Sequence, residues 1–264
     1  MGVQPWQVGT EDQRWAGYLD PAHFDPVVGQ NVMRNLVRAT SYDELRTRED
    51  AAVGMRTTTL HAHGIPSSYD VAGLREIHRH LFQDVYPWAG ELRTVNLVKA
   101  WEPFAPPDRI EEIVEQVTAA IRDTDLLRRV PDDRYAGALG SVYSVLNVAH
   151  PFREGNGRTQ REFIAALATE SGHAVDWSQI QGHVNDVVSH AARRGDHVPM
   201  TAMFEQIVTR TGPALSPGSR LPRAVSASYP APATGATHAA PSAPSRRPYR
   251  SPGAGQGQGP SLSP

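Results

Sequence analysis

Two apolar stripes of helical period, Tyr135–Leu146 and Phe163–Ala168, are separated by a polar segment that reads HPFREGNGRTQR, residues 150 to 161. A chain that turns from one amphipathic helix into the next through two glycines and an asparagine must bring a helix C-terminus beside a helix N-terminus. Glycine permits the sharp turn, and the first amides of the second helix have no intrahelical partner. That end also carries partial positive charge, so the junction is suited to an anion. The pattern places Gly155, Asn156 and Gly157 just before a helix that begins near Arg158. Arg161, one turn later, lies on the same face as Arg158. Both guanidinium groups can then make charge-assisted bonds to one phosphate chain. Glu154 beside phosphates calls for an intervening cation, and Mg²⁺ binds through one or two carboxylates plus phosphate oxygens. His150 is placed to act as a general base near neutral pH.

Other helical stripes surround this junction. Val71, Leu74, Ile77, His78, Leu81 and Val85 form one, closed by Pro87; Ile110 to Ile121 form another. Ile180 to Ala191 and Met203 to Val208 supply two more, and Ser41-Tyr-Asp-Glu44 has the form of a capping box. Residues 86 to 107 differ: LRTVNLV is rich in β-branched and aliphatic residues between Gly90 and three prolines. That segment predicts a short hairpin whose open edge either accepts an extended peptide or is covered by its own chain. Residues 1 to 30 show no clear period and read as an irregular lead-in to a domain spanning 31–212. Trp88 and Trp101 are expected to pack in the core and the hairpin. His61, His63, His78 and His80 are not expected to bind metal, because residues two apart on a helix face different ways.

Composition narrows the alternatives. There is no cysteine, so disulfides, zinc thiolates and cysteine nucleophiles are excluded. No apolar run reaches the roughly 18–20 residues of a membrane span, and the N-terminus has no secretory pattern, so a cytoplasmic protein is expected. The net charge of −2 argues against nucleic acid as a partner. From Pro213 to Pro264 the chain is Pro, Ala, Ser, Gly and Arg with no acid, and is expected to form a disordered basic tail.

The focal segment resembles the signature of the Fic family, H-x-F-x-[D/E]-G-N-G-R-x-x-R, with every fixed position filled. Upstream, IHRHLFQDVYPWAGELRTVNLVKAWEPFA, residues 77 to 105, resembles the family's helix and flap hairpin. The resemblance covers about residues 30 to 210. It implies a mainly α fold, a Fic-type helical core with one β-hairpin flap, and transfer of AMP from ATP to a Tyr, Thr or Ser hydroxyl of a target protein. It assigns His150 as the base and Glu154 as the Mg²⁺ ligand. Arg153, Gly155, Asn156, Gly157, Arg158, Arg161 and Lys99 become the ATP and phosphate contacts, and Val98, Lys99 and Ala100 the target-docking flap. Many relatives are restrained by an inhibitory helix, [S/T]-x-x-x-E-[G/N]. Thr40 to Leu45 and Thr201 to Gln206 fit it only in part, so the expected arrangement is a toxin-like enzyme restrained by a separate small antitoxin. Transfer of UMP, phosphocholine or phosphate on the same fold, or a non-catalytic binding module, are the alternatives.

Overall fold

The computed structural model describes residues 2–64, 66–99 and 101–212; the tail expected from Pro213 onward lies outside them. The first helix, α1 (Glu11–Gly17), is followed by two antiparallel strands, β1 (Leu19–Asp25) and β2 (Gln30–Met33). Next come α2 (Tyr42–His63) and α3 (Val71–Phe82), then a two-strand hairpin, β3 (Val98–Lys99) and β4 (Glu102–Pro103). Helices α4 (Ile110–Asp123), α5 (Asp132–Ala149) and α6 (Asn156–Glu170) complete the centre. A short strand, β5 (His173–Val175), precedes α7 (Gly182–Arg193) and α8 (Val198–Ile207), and pairs with β6 (Val208–Arg210).

Helix α5 organises the packing, touching α4, α6, α7 and α8. Its buried Tyr135, Leu139, Val142, Tyr143 and Leu146 fall on one face of the helix at i, i+4, i+7, i+8 and i+11. They meet Phe163, Ile164 and Leu167 of α6 and Val114, Val117 and Ile121 of α4 in one apolar cluster. Each such side chain contributes about 1.5–3 kcal/mol when removed from water. Against α8 the approach is close: a Cβ on Gly140 would sit 3.3 Å from Phe204.

Residues 1–30, expected to be irregular, instead hold α1 and β1, and the segment is part of the core. Trp6 and Tyr18 pack on Trp88, with ring centroids 5.9 and 5.1 Å from it, and Trp6 Nε1 donates to Glu91 at 2.7 Å. The strand β1 has an irregular register and an uneven burial pattern, so no alternation marks it in the sequence. The flap hairpin is present as expected, and two further strand pairs accompany it. Trp88 is buried as expected, but Trp101 is 89% exposed. A hairpin of two residue pairs has too little inner face to cover an indole at its turn, where Trp101 adopts φ 67°. Ala100, beside it, lies outside the described residues.

Candidate active site

The segment between α5 and α6 is a six-residue loop, His150 to Gly155, with a left-handed residue at each end. His150 caps α5 at φ 42°, and Gly155 caps α6 at φ 78°. Helix α6 begins at Asn156, two residues before the position expected from the stripe, so Asn156 and Gly157 belong to its first turn. The Asn156 side chain turns inward: its Oδ1 accepts from Phe152 N at 2.8 Å, and its Nδ2 donates to Phe152 O at 2.7 Å. Asn156 therefore closes the loop with its side chain and leaves only its backbone amide for an anion. A Cβ on Gly155 would collide with Phe82 at 2.4 Å. Gly157 differs, because a Cβ there would meet nothing within 4 Å. Among the described residues no packing contact demands glycine at 157, and its backbone is open to close approach.

His150 is half-buried with its ring stacked on Phe104 at 3.8 Å, 16° from parallel. Burial, and behind it the cations Arg93, Lys99 and Arg193, pull its pKa down to about 3, opposed by the Asn147 backbone. The imidazole is thus neutral at physiological pH. Its Nδ1 is buried without a well-aligned hydrogen-bond partner, as are Asn147 Nδ2, Arg161 Nε and Trp177 Nε1. Arg161 lies with its guanidinium 5.4 Å from the Trp177 ring centroid, and it also interacts with Tyr143. Among the described residues no carboxylate pairs with Arg161. A half-buried guanidinium without a counter-ion, beside unpartnered donors, suits an anionic ligand rich in acceptors.

Arg158 behaves differently. Its guanidinium binds the Glu49 carboxylate, approaches Asp50 at 3.5 Å and lies 4.8 Å from the Phe82 ring centroid. Glu49 also accepts from the Tyr86 hydroxyl. The two arginines, one turn apart on α6, thus reach opposite ways, Arg158 toward α2 and α3 and Arg161 toward α5 and Trp177. Arg153 is turned toward α1, over the Trp15 ring at 4.6 Å, and pairs with Glu154 at 2.8 Å. The Glu154 carboxylate is 43% exposed at the rim of the loop. Among the described residues no three metal-ligating side chains cluster. This donor set fits a Mg²⁺ ion held by one carboxylate and carried chiefly on phosphate oxygens, and does not fit a protein-only cage.

On the flap, Val98 is exposed and Lys99 pairs with Asp186 of α7 at 2.8 Å. Neither segment considered as an inhibitory helix reaches the motif arginines. Glu44 bonds Arg48 and the Thr40 amide, and Glu205 is exposed on α8. The paired histidines each have local partners: His61 takes Glu162, His63 the Thr59 carbonyl and His80 the Arg56 carbonyl.

Residues to which the sequence reading gave no part in the site hold the loop in place. His78 is buried between the rings of Phe152 and Phe82, 3.9 and 4.7 Å away. Its Nε2 donates to the Glu154 carbonyl at 3.0 Å, and its Nδ1 accepts from Gly90 N at 2.8 Å. Arg93, 2% exposed, donates to the carbonyls of Val95, Ala105, Ala149 and His150. Arg193 of α7 lies over Phe104 at 5.1 Å and approaches Glu102 at 3.5 Å. The apolar position of His78 in its stripe was the only hint of its burial.

Residues 68–168 match the Fic/DOC family pattern. The chain is similar to the protein adenylyltransferase VbhT of Bartonella schoenbuchensis, 34% identical over 197 residues; the match takes in 75% of this chain and 41% of that protein's length. It is 31% identical over 182 residues to the probable protein adenylyltransferase y4lH of Sinorhizobium fredii, covering 68% of this chain and 93% of the relative. Among solved structures, the BepC effector of Bartonella tribocorum with bound AMPPNP superposes with a TM-score of 0.64 at 25% identity, covering 74% of this chain and 97% of that one. No helix among the described residues is long and apolar enough to cross a membrane.

Proposed function

Since this chain belongs to the Fic/DOC family, we propose that it is a protein adenylyltransferase that moves AMP from ATP to a Tyr, Thr or Ser hydroxyl of a target protein. One observation carries the reading: a neutral imidazole caps α5, six residues before a helix N-terminus that has an open glycine and an arginine with no carboxylate partner among the described residues. The names of VbhT and y4lH, and the AMPPNP bound to BepC, support the same nucleotide and the same transfer.

The buried Nδ1 of His150 leaves Nε2 to take the proton of the acceptor hydroxyl. The hydroxyl oxygen then bonds to the α-phosphorus while the bridging bond to the β-phosphate breaks and pyrophosphate leaves. Gly157 and the backbone amides opening α6 receive the phosphate oxygens, and Arg161 neutralises the far end of the chain. Arg158 joins them after exchanging Glu49 for phosphate, and Arg153 after releasing Glu154. Glu154 is the residue to hold Mg²⁺, which when bound neutralises the leaving phosphates. Lys99 lies at the flap edge, where Val98 and Lys99 align the target main chain by strand addition; Ala100, the third residue expected there, lies outside the described residues. Rate enhancement in such a site comes from positioning and charge neutralisation.

We infer further that restraint comes from a separate small antitoxin, because neither Glu44 nor Glu205 approaches Arg161. The same arrangement makes the chain toxin-like when it acts alone inside the cell.

The test is incubation of the purified chain with Mg²⁺, host lysate and ATP labelled at the α-phosphate, and in parallel with ATP labelled at the γ-phosphate. A labelled band, carrying the mass of AMP and lost with His150→Ala, is the expected result. Label passing only from the γ-phosphate, or no transfer with intact ATP binding, overturns the reading in favour of phosphate transfer or a binding module. Expression of the chain alone should arrest growth, and His150→Ala should not.

A further inference from the structure

We propose that Arg93 is a positioning residue that joins the flap hairpin to the His150 loop, so that the strand receiving the target and the base receiving its proton move as one body. The second half of that statement rests on the reading of His150 given above; the coupling itself does not.

The geometry is that of a buried cation with no carboxylate partner among the described residues. Arg93 Nε donates to His150 O at 2.8 Å, and Nη1 to Val95 O at 2.7 Å. Nη2 donates to Ala105 O and, at 3.1 Å, to Ala149 O. Val95 and Ala105 flank the hairpin on its two sides, while Ala149 and His150 end α5. One guanidinium thus ties both limbs of the flap to the helix end that carries the base. Backbone bonds run in parallel: Arg93 N donates to Pro151 O at 2.9 Å and Ala105 N to Val148 O at 3.0 Å. The final carbonyls of a helix have no intrahelical partner, and a cation at that end is favoured by the helix dipole. Here the flap supplies both. Arg is suited to the task because its planar fork offers five fixed donors, whereas Lys offers a mobile point charge.

The consequence is mechanical. Hairpin β3–β4 has only two residue pairs, and such a ribbon is at best marginally stable alone. With the fork removed, the hairpin opens independently of the core, and the peptide plane that sets the His150 ring is no longer pinned.

The experiment compares the full chain with Arg93→Lys by amide hydrogen exchange, alongside nucleotide transfer and calorimetric ATP binding. The amides of Leu97, Val98, Lys99, Glu102, Phe104 and Ala105 should exchange about tenfold faster or more in the variant, with α5 and α6 core amides unchanged. The kcat/KM for the target should fall at least about tenfold while the Kd for ATP stays within about threefold. Equal acceleration of hairpin and core would mean that Arg93 only stabilises the fold, and would overturn the proposal. So would an unchanged hairpin. Wild-type exchange gives a second reading that survives a variant failing to fold: the Arg93 Nε proton and the Phe104 and Ala105 amides should open with one common free energy. Separate openings would overturn the coupling. A wild-type chain that transferred no nucleotide would sink the function proposed above, yet the exchange data would still decide about Arg93.

Discussion

His78 donates to the backbone carbonyl of Glu154 at 3.0 Å while accepting the Gly90 amide on its other ring nitrogen. That fixes its tautomer with the proton on Nε2, and it ties the rim of the phosphate loop to the segment leading into the flap. Replacing His78 with Ala removes both partners and leaves a cavity between Phe152 and Phe82. We expect a loss of about 3–5 kcal/mol, read as a lowered urea midpoint. His78→Gln, which can restore one bond, should lose less. Equal loss in the two variants would show that stacking, not hydrogen bonding, sets the cost.

Acid should destabilise the protein earlier than its carboxylates require. Burial lowers His78 to about 3, against about 6.5 in the unfolded chain. A histidine held neutral in the folded state contributes stability that is complete above the unfolded pKa and declines as pH falls through the window between the two values. At pH 5 the loss from His78 alone is about 2 kcal/mol. Denaturation series at pH 7 and 5 should show it, and the difference should shrink in His78→Gln.

The pH dependence of catalysis has the same sign. Burial and three cations hold His150 near 3 in the free chain, so its imidazole stays unprotonated well below neutrality. Nitrogen NMR of the free protein should record no titration of His150 between about pH 8 and 5, whereas an ordinary histidine titrates near 6.5. A midpoint above 6 would refute the burial argued for this ring.

Two glycines of the motif should respond in opposite ways. Gly155→Ala meets Phe82 at 2.4 Å and forces a side chain onto φ 78°, so the variant should be destabilised by more than about 2 kcal/mol. Gly157→Ala meets nothing and sits in the first turn of α6, so stability should hold or rise by up to about 1 kcal/mol. Its ATP affinity should nonetheless drop about tenfold or more, because the new methyl occupies the approach to the amides. Undiminished binding by Gly157→Ala would place the phosphates elsewhere.

Trp101→Ser should leave stability within about 0.5 kcal/mol, as the side chain is 89% exposed. Target modification should weaken, with the change in KM for the target protein and not for ATP. A thermal melt and a two-substrate kinetic series separate the outcomes.

What could be read from the residues follows a physical division. The stripes of α3, α4, α5 and α7 are legible because each buries one face, and the loop chemistry is legible because glycine, asparagine and arginine occur at close spacing. Side-chain destinations are another matter. Spacing puts Arg158 and Arg161 on one face, but long flexible stems let one reach Glu49 and the other Trp177. Asn156 has the composition of an anion-hole residue, yet its amide group is consumed by the Phe152 backbone. Arg93 and His78 reach the loop through bonds to the carbonyls of Ala149, His150 and Glu154, 56 to 76 residues away, and no local pattern records such partners. The N-terminal hairpin leaves no mark in the sequence because β1 has an irregular register and an uneven burial pattern, so its residues do not alternate.

The cations Arg93, Lys99 and Arg193 around His150 bear on the sequence of events in each turnover. Burial first, and those cations second, make the ring a feeble proton acceptor until negative charge arrives beside it, and the triphosphate of the proposed reaction brings that charge. The nucleotide should therefore enter first and the protein acceptor second, in a compulsory order. An acceptor arriving early would find a site that cannot yet take its proton, which guards the hydroxyl against premature commitment.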